Sequence, residues 1–203
     1  MHKLLYILII TLFFSACQQK ENIDHPQENG QHIHLAGARH HAATEKEVDQ
    51  LFVQLKVARH DYIIRSTQEQ IRQLWQQSED DAIDTLMESG KEHMYRRQYP
   101  DAIRIFTRVI EQAPAYAEGW NKRATIHYLM GNFGAALQDI QATLRLEDRH
   151  FGALSGKASI LQMQGKNEKA LATYERLLEI VPRQREVQQH VQNLRAELGY
   201  RNI

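Results

Sequence analysis

The sequence predicts an all-α fold, and two observations carry that prediction. Leu, Ala, Glu, Gln, Lys and Arg dominate a chain of 203 residues with only 4 prolines and 10 glycines, so intrinsic propensity favours helix almost throughout. Between residues 83 and 182 small and bulky residues then recur at one spacing: Gly131 and Gly165 stand 34 apart, as do Ala102, Ala136 and Ala170, and Pro114 and Pro182 are separated by twice that interval. Such a period marks stacked helical hairpins, each of which can bury its apolar face only against its neighbours.

Charge and cysteine content narrow the function classes. The 25 basic and 25 acidic side chains cancel, and hydrophobic residues make up 42%, so there is no electrostatic footprint for nucleic acid. The single cysteine, Cys17, excludes an internal disulfide and a cysteine-based zinc cluster and leaves stability to helix packing.

Taken in order, residues 1–16 carry Lys3, an apolar run over 4–14, and the small residues Ser15 and Ala16 ahead of Cys17, the layout of an export signal. The run is about half of the roughly 20 residues that a spanning helix needs. Phe14-Ser15-Ala16-Cys17 resembles the lipobox of bacterial lipoproteins, although Phe14 replaces the usual Leu. That resemblance implies cleavage before Cys17 and lipidation of it, and Gln18 in place of Asp implies an outer-membrane protein facing the periplasm.

Residues 17–43 then form a polar linker without helical or strand period. A flexible coil of this length reaches roughly 28 Å. His32, His34, His40 and His41 fall close together there, with His25 nearby, and imidazole is a common metal ligand. No carboxylate or cysteine stands at a fixed spacing to complete a cage, so the segment reads as a His-rich linker. A metal site at His32, His34, His40 and His41 is the alternative.

Residues 44–78 read as a helical pair. Thr44-Glu45-Lys46-Glu47 has capping-box spacing and precedes Val48, Leu51, Phe52 and Leu55 on one helical face. Ser66-Thr67-Gln68-Glu69 offers a second box before Ile71, Leu74 and Trp75. The pair is expected to cap the first repeat, whose end face would otherwise be apolar; a dimer contact, making a homo-oligomeric lipoprotein, is the alternative.

The repeats span about 83–114, 117–148 and 151–182 within a domain of 79–182. The middle one carries Trp120, Ala124, Gly131, Phe133 and Ala136, and this pattern resembles the tetratricopeptide repeat (TPR); the flanking repeats match in phase through Leu86, Gly90, Tyr99, Ala102 and Phe106, and through Leu154, Ala158, Gly165, Ala170, Tyr174 and Pro182. The alanines belong where two helices cross, where a bulkier side chain would cost about 1–3 kcal/mol. Gly131 and Gly165 suit left-handed helix ends, and Trp120, Phe106, Ile140 and Tyr174 are expected to fill the space between layers. Residues 183–203 complete the chain with Val187, Val191, Leu194 and Leu198 on one stripe, a C-terminal capping helix ahead of Gly199. The fold so predicted is a short right-handed TPR solenoid of three helix-turn-helix repeats between an N-terminal pair and a C-terminal cap.

The resemblance also implies a peptide-binding groove lined by the first helix of each repeat. Its inward positions would be Met87, Lys91, Met94 and Tyr95, then Asn121, Thr125, Tyr128 and Leu129, then Ser155, Ser159, Gln162 and Met163. Amides suit an extended backbone, and methionines suit varied apolar side chains. The carboxylate-gripping set of some chaperone-binding members would fall at Met87, Lys91, Lys122, Gly152 and Gly156, where only the lysines could serve. Gly152 and Gly156, four apart, would bare backbone on one helix face for a close helix contact, with close ligand approach as the alternative.

No nucleophile elbow, phosphate loop, dinucleotide fingerprint or paired-histidine zinc motif occurs, and His93 and His127 occupy corresponding repeat positions as packing residues. No enzymatic activity and no cofactor are therefore expected. The expected role is a membrane-tethered adaptor or scaffold that binds a protein or peptide of the bacterial cell envelope, with a metal-binding periplasmic protein as the alternative.

Overall fold

A 34-residue period builds one hairpin at a time, and the computed structural model of the protein, which describes residues 44–200, shows three of them in succession. Among the described residues there are nine helices and no strand: α1 (44–57), α2 (Asp61–Trp75), α3 (Asp81–Tyr95), α4 (Tyr99–Gln112), α5 (Ala117–Leu129), α6 (Phe133–Leu146), α7 (Phe151–Met163), α8 (Asn167–Ile180) and α9 (Arg185–Glu197). The repeats are α3–α4, α5–α6 and α7–α8, and each second helix packs on the first helix of the next repeat. Successive first helices also touch, more extensively than successive second helices do, so the first helices line the inner side of the stack. None of the described helices is long and apolar enough to cross a membrane.

Ala102, Ala136 and Ala170 are fully buried at the hairpin crossings, as are Phe106 and Tyr174, and Ile140 is nearly so. Trp120 departs from the expected interlayer role. It is half-buried, its Nε1 donates to the Pro114 carbonyl at 3.0 Å, and Arg123 lies 5.3 Å over its ring. Two glycines set the helix spacing. A Cβ at Gly90 would lie 2.6 Å from the Phe106 ring, and one at Gly119 would lie 2.8 Å from Val109 Cγ1. Gly156 imposes no such approach, since a Cβ there would meet only Ile140 at 3.5 Å, and the close contact expected at that position is absent.

The N-terminal pair corrects two expectations. Ser66 does not start a helix: α2 begins at Asp61 after a break at 58–60, and Ser66 Oγ merely donates to the Ile63 carbonyl inside it. Nor does the pair cap the first repeat. Val48, Leu51, Phe52 and Leu55 of α1 and Ile64 and Ile71 of α2 join a core built from α7, α8 and α9, including Phe151, Leu154, Leu177, Val187 and Leu194. Polar contacts repeat the assignment: Asp49 pairs with Arg149, Asp61 with Arg185, and Gln68 Nε2 donates to Gln184. The first repeat needs no cap because the outer stripe of α3 is polar, with Asp81, Thr85, Glu88, Glu92 and Arg96 exposed. The third repeat, by contrast, presents Phe151 at the start of α7, which requires cover.

Candidate functional site

The inner face begins with the ends of its three first helices. Tyr95, Leu129 and Met163 are the last residues of α3, α5 and α7, 34 apart in sequence. They are 78%, 50% and 52% exposed, with Met130 beside them also exposed. A helix packed along its length usually hides its large apolar residues, so three exposed ones at equivalent positions form a ladder rather than scatter.

The other groove positions divide by what already holds them. Met87 is only 2% exposed, in a core with Ile83, Ala102, Phe106 and Ile126, and cannot reach a partner. It faces α4 because α3 turns its Ile83 and Met87 stripe inward, one turn apart. Met94 packs half-buried on that core. Lys91 Nζ lies 2.5 Å from Glu88 and donates to Gln76 Oε1 at 3.3 Å. Thr125 Oγ1 donates to the Asn121 carbonyl at 2.9 Å, and Tyr128 leans on Phe133 with centroids 5.9 Å apart. Ser159 shares a hydrogen bond with the Tyr174 hydroxyl at 3.3 Å. Ser155 and Gln162, half-buried, make no side-chain hydrogen bond among the described residues. Cys17 and the histidines His32, His34, His40 and His41 lie outside the described residues.

Asn121 leads to a buried cluster that sequence reading missed. Its Nδ2 donates to Glu118 Oε2 at 3.0 Å, Lys122 Nζ lies 2.7 Å from Oε1, and His150 Nε2 reaches Oε2 at 3.0 Å. His150 Nδ1 accepts from the Ala153 amide at 3.1 Å, which N-caps α7 and leaves the proton on Nε2 to be donated to Glu118. The Trp75 ring stacks on His150 at 4.4 Å and 12°. Burial pushes the Glu118 carboxyl up, but the His150 hydrogen bond and the Lys122 charge outweigh it and hold the group down at about 2. The cluster thus ties α5 to α7 and, through Trp75, to α2. Glu118 and His150 are 32 residues apart, and no spacing rule couples them.

The remaining charges near the groove are likewise engaged. Arg123 donates twice to Asp139, both at 2.8 Å, and once to Thr107 Oγ1 at 3.1 Å, bridging the first two repeats. His127 sits 4.0 Å from Asp139 with Nδ1 buried and unpartnered, and burial lowers its pKa despite that carboxylate. His93 meets the Ser89 carbonyl at 2.9 Å through Nδ1. A cleft of about 870 Å³ lies away from the ladder, between α1–α2 and the inter-repeat turns, lined by Val48, Leu74, Trp75, Tyr116 and Leu146 among others. The Tyr116 hydroxyl is buried without a partner, and its pKa is raised by that burial first and by the carboxylates of Glu118, Asp84 and Glu88 after it.

Comparison with known proteins agrees with the architecture. The family model for the tetratricopeptide repeat matches residues 87–142 and 122–185. A TPR repeat-containing protein of Rhizobium etli is 37% identical over 158 residues, which cover 78% of each chain. Human DnaJ homolog subfamily C member 7 is 26% identical over 120 residues, 59% of this chain but 24% of that protein. In fold, the chain is similar to the first TPR of Spaghetti bound to an Hsp90 peptide, with a TM-score of 0.55 at 23% identity over 58% of this chain and 93% of that one. The repeat period, the stacked hairpins and a relative sharing more than a third of its residues over most of both chains lead to one conclusion: the chain belongs to the tetratricopeptide repeat family.

Proposed function

We propose that the chain is an adaptor that holds an extended segment of another protein along its first helices, tethered to a membrane of the bacterial envelope by lipid on Cys17. The observation that carries the binding role is the ladder Tyr95, Leu129 and Met163, apolar and exposed at the same position of three successive repeats. Ser155 and Gln162 add free hydrogen-bonding groups for a peptide backbone beside it. The reading is binding rather than catalysis: Glu118 and Arg123, ionisable groups of α5 beside the groove, are both held in structural pairs. The tether rests on the lipobox-like sequence 14–17 and is independent of the groove.

The first TPR of Spaghetti is bound to the Hsp90 peptide SRMEEVD, yet this face is built differently from one that would hold a terminal carboxylate. Met87 is buried, Lys91 and Lys122 are neutralised by Glu88 and Glu118, and positions 152 and 156 are glycine. The partner segment supported here carries apolar side chains at the ladder instead of a terminal carboxylate.

A photocrosslinker at position 129 in intact cells tests the reading. One partner should be captured there and not from Gln141 on α6. Replacing Tyr95, Leu129 and Met163 together with Ala should weaken that partner's binding roughly a hundredfold, about 1 kcal/mol for each side chain. Undiminished binding to the triple variant, with its helical circular dichroism intact, would sink the groove reading; capture of the partner from a photocrosslinker at exposed position 57 and not at 129 would move the surface to the N-terminal pair.

A further inference from the structure

A second exposed apolar group lies far from the ladder in sequence, at the corner where α1 turns into α2. Val53 and Val57 stand one helical turn apart on α1 and Tyr62 opens α2; all three are exposed, although the same two helices bury a continuous stripe on their other side. The His60 ring stacks on Tyr62 at 5.9 Å. Basic side chains surround them. Lys56, Arg59 and Arg65 are exposed and form no ion pair among the described residues, and Arg183 and Arg185 join Arg65 around a shallow cleft. The acidic groups nearby are Asp61, which Arg185 neutralises at 3.2 Å, Glu186, Glu179 beside Lys56, and Asp49 and Asp148, which Arg149 and Arg176 neutralise. In a chain of zero formal net charge, this corner holds an excess of positive charge.

We infer that the α1–α2 corner docks on an anionic lipid surface. Short apolar side chains beside an aromatic with a polar tip, ringed by unpaired Lys and Arg, match the requirements of the headgroup boundary, where the apolar groups enter and the cations meet lipid phosphates. A second copy of the chain fits less well, because a two-fold contact would bring Lys56, Arg59 and Arg65 against their own like charges. The inference uses the proposed tether only to place a membrane within reach. Docking there would fix the orientation of the domain relative to the membrane, leaving the ladder free.

The test uses residues 17–203 with Cys17→Ser, the mature chain that cleavage before position 17 would leave, so that an introduced cysteine is the only thiol and the apolar run over 4–14 is absent. Bimane is attached at Val57→Cys, or at Gln141→Cys as a control, and the protein is mixed with vesicles of phosphatidylcholine containing brominated lipid, with or without phosphatidylglycerol. On phosphatidylglycerol vesicles the label at 57 should shift to the blue and be quenched, while the label at 141 stays silent. Lys56→Gln, Arg59→Gln and Arg65→Gln combined should weaken the response at 57 roughly a hundredfold in lipid concentration, about fivefold per charge. Absence of quenching at 57 on anionic vesicles overturns the inference. So does a blue shift that needs no lipid and grows with protein concentration, which would assign the corner to self-association. The triple ladder variant should leave the vesicle response unchanged, so either reading can fail alone.

Discussion

Arg97 carries a local strain that the repeat itself explains. It stands 34 residues before Gly131 and 68 before Gly165, in the same left-handed turn after a first helix, with φ of 58° against 76° and 69° for the glycines. In all three turns the next amide closes on a carbonyl five residues back: Gln98 on His93, Asn132 on His127, Lys166 on Leu161. Only glycine adopts this φ without steric penalty, so Arg97→Gly should raise stability by about 1 kcal/mol, read from urea unfolding midpoints. Glu118 gives a pH-dependent counterpart. Its folded pKa of about 2 lies below its ordinary 4.5, so its stabilisation is complete above 4.5 and is lost as pH falls towards 2. The pairing is worth about 3 kcal/mol at neutral pH, of which about 2 kcal/mol should be gone at pH 3. Wild type should therefore lose that much more stability than Glu118→Gln between pH 7 and pH 3, and an equal loss in both would remove the carboxylate from the account. Sequence reading singled out neither residue, since the φ of Arg97 and the burial of Glu118 are set only by the folded chain.

At the scale of elements, α1 and α2 are the part least legible beforehand. Their stripes were readable, Val48 to Leu55 and Ile71 to Trp75, but a stripe says only that a face is buried. Ser66 to Glu69 mimicked a capping box, and the helix ran through it because Ile64, Thr67, Gln68 and Ile71 form one buried face that starts earlier. Trp75 fastens the pair, with Phe52 at 6.0 Å, His150 at 4.4 Å and Phe151 at 5.0 Å. Trp75→Ala should cost about 3 kcal/mol. In hydrogen exchange it should deprotect α1, α2 and the start of α7 together, while α3 and α4 keep their protection. Uniform deprotection of every helix would show that Trp75 supports the whole stack equally.

For the described region as a whole, the pair ties the beginning of the chain to its end. Asp49 and Asp61 bond to Arg149 and Arg185, so α1 and α2 cannot leave without uncovering the third repeat and α9. The two tryptophans report on separate parts, Trp75 on this junction and Trp120 on the second repeat. Urea unfolding of Trp75→Phe and Trp120→Phe chains, followed by the remaining tryptophan, should give coincident midpoints once each variant's own stability change is subtracted. Separated midpoints would mean that the pair unfolds on its own.

The sequence by itself determined the helices of the repeats and their stacking, because both depend on short-range order: small residues at crossings, glycine at helix ends, and one apolar stripe per helix repeated at 34 residues. The groove positions came from the resemblance to the repeat family, and they mix core and exposed residues. Tertiary structure alone decided that Met87 is core, that Asn121 and Lys122 belong to Glu118, and that Tyr95, Leu129 and Met163 remain exposed. It alone decided, too, that α1 and α2 cover the third repeat instead of the first. These outcomes rest on contacts between residues tens of positions apart, and hydrophobic burial is non-directional: an apolar stripe requires cover, but only the folded chain determines which surface provides it.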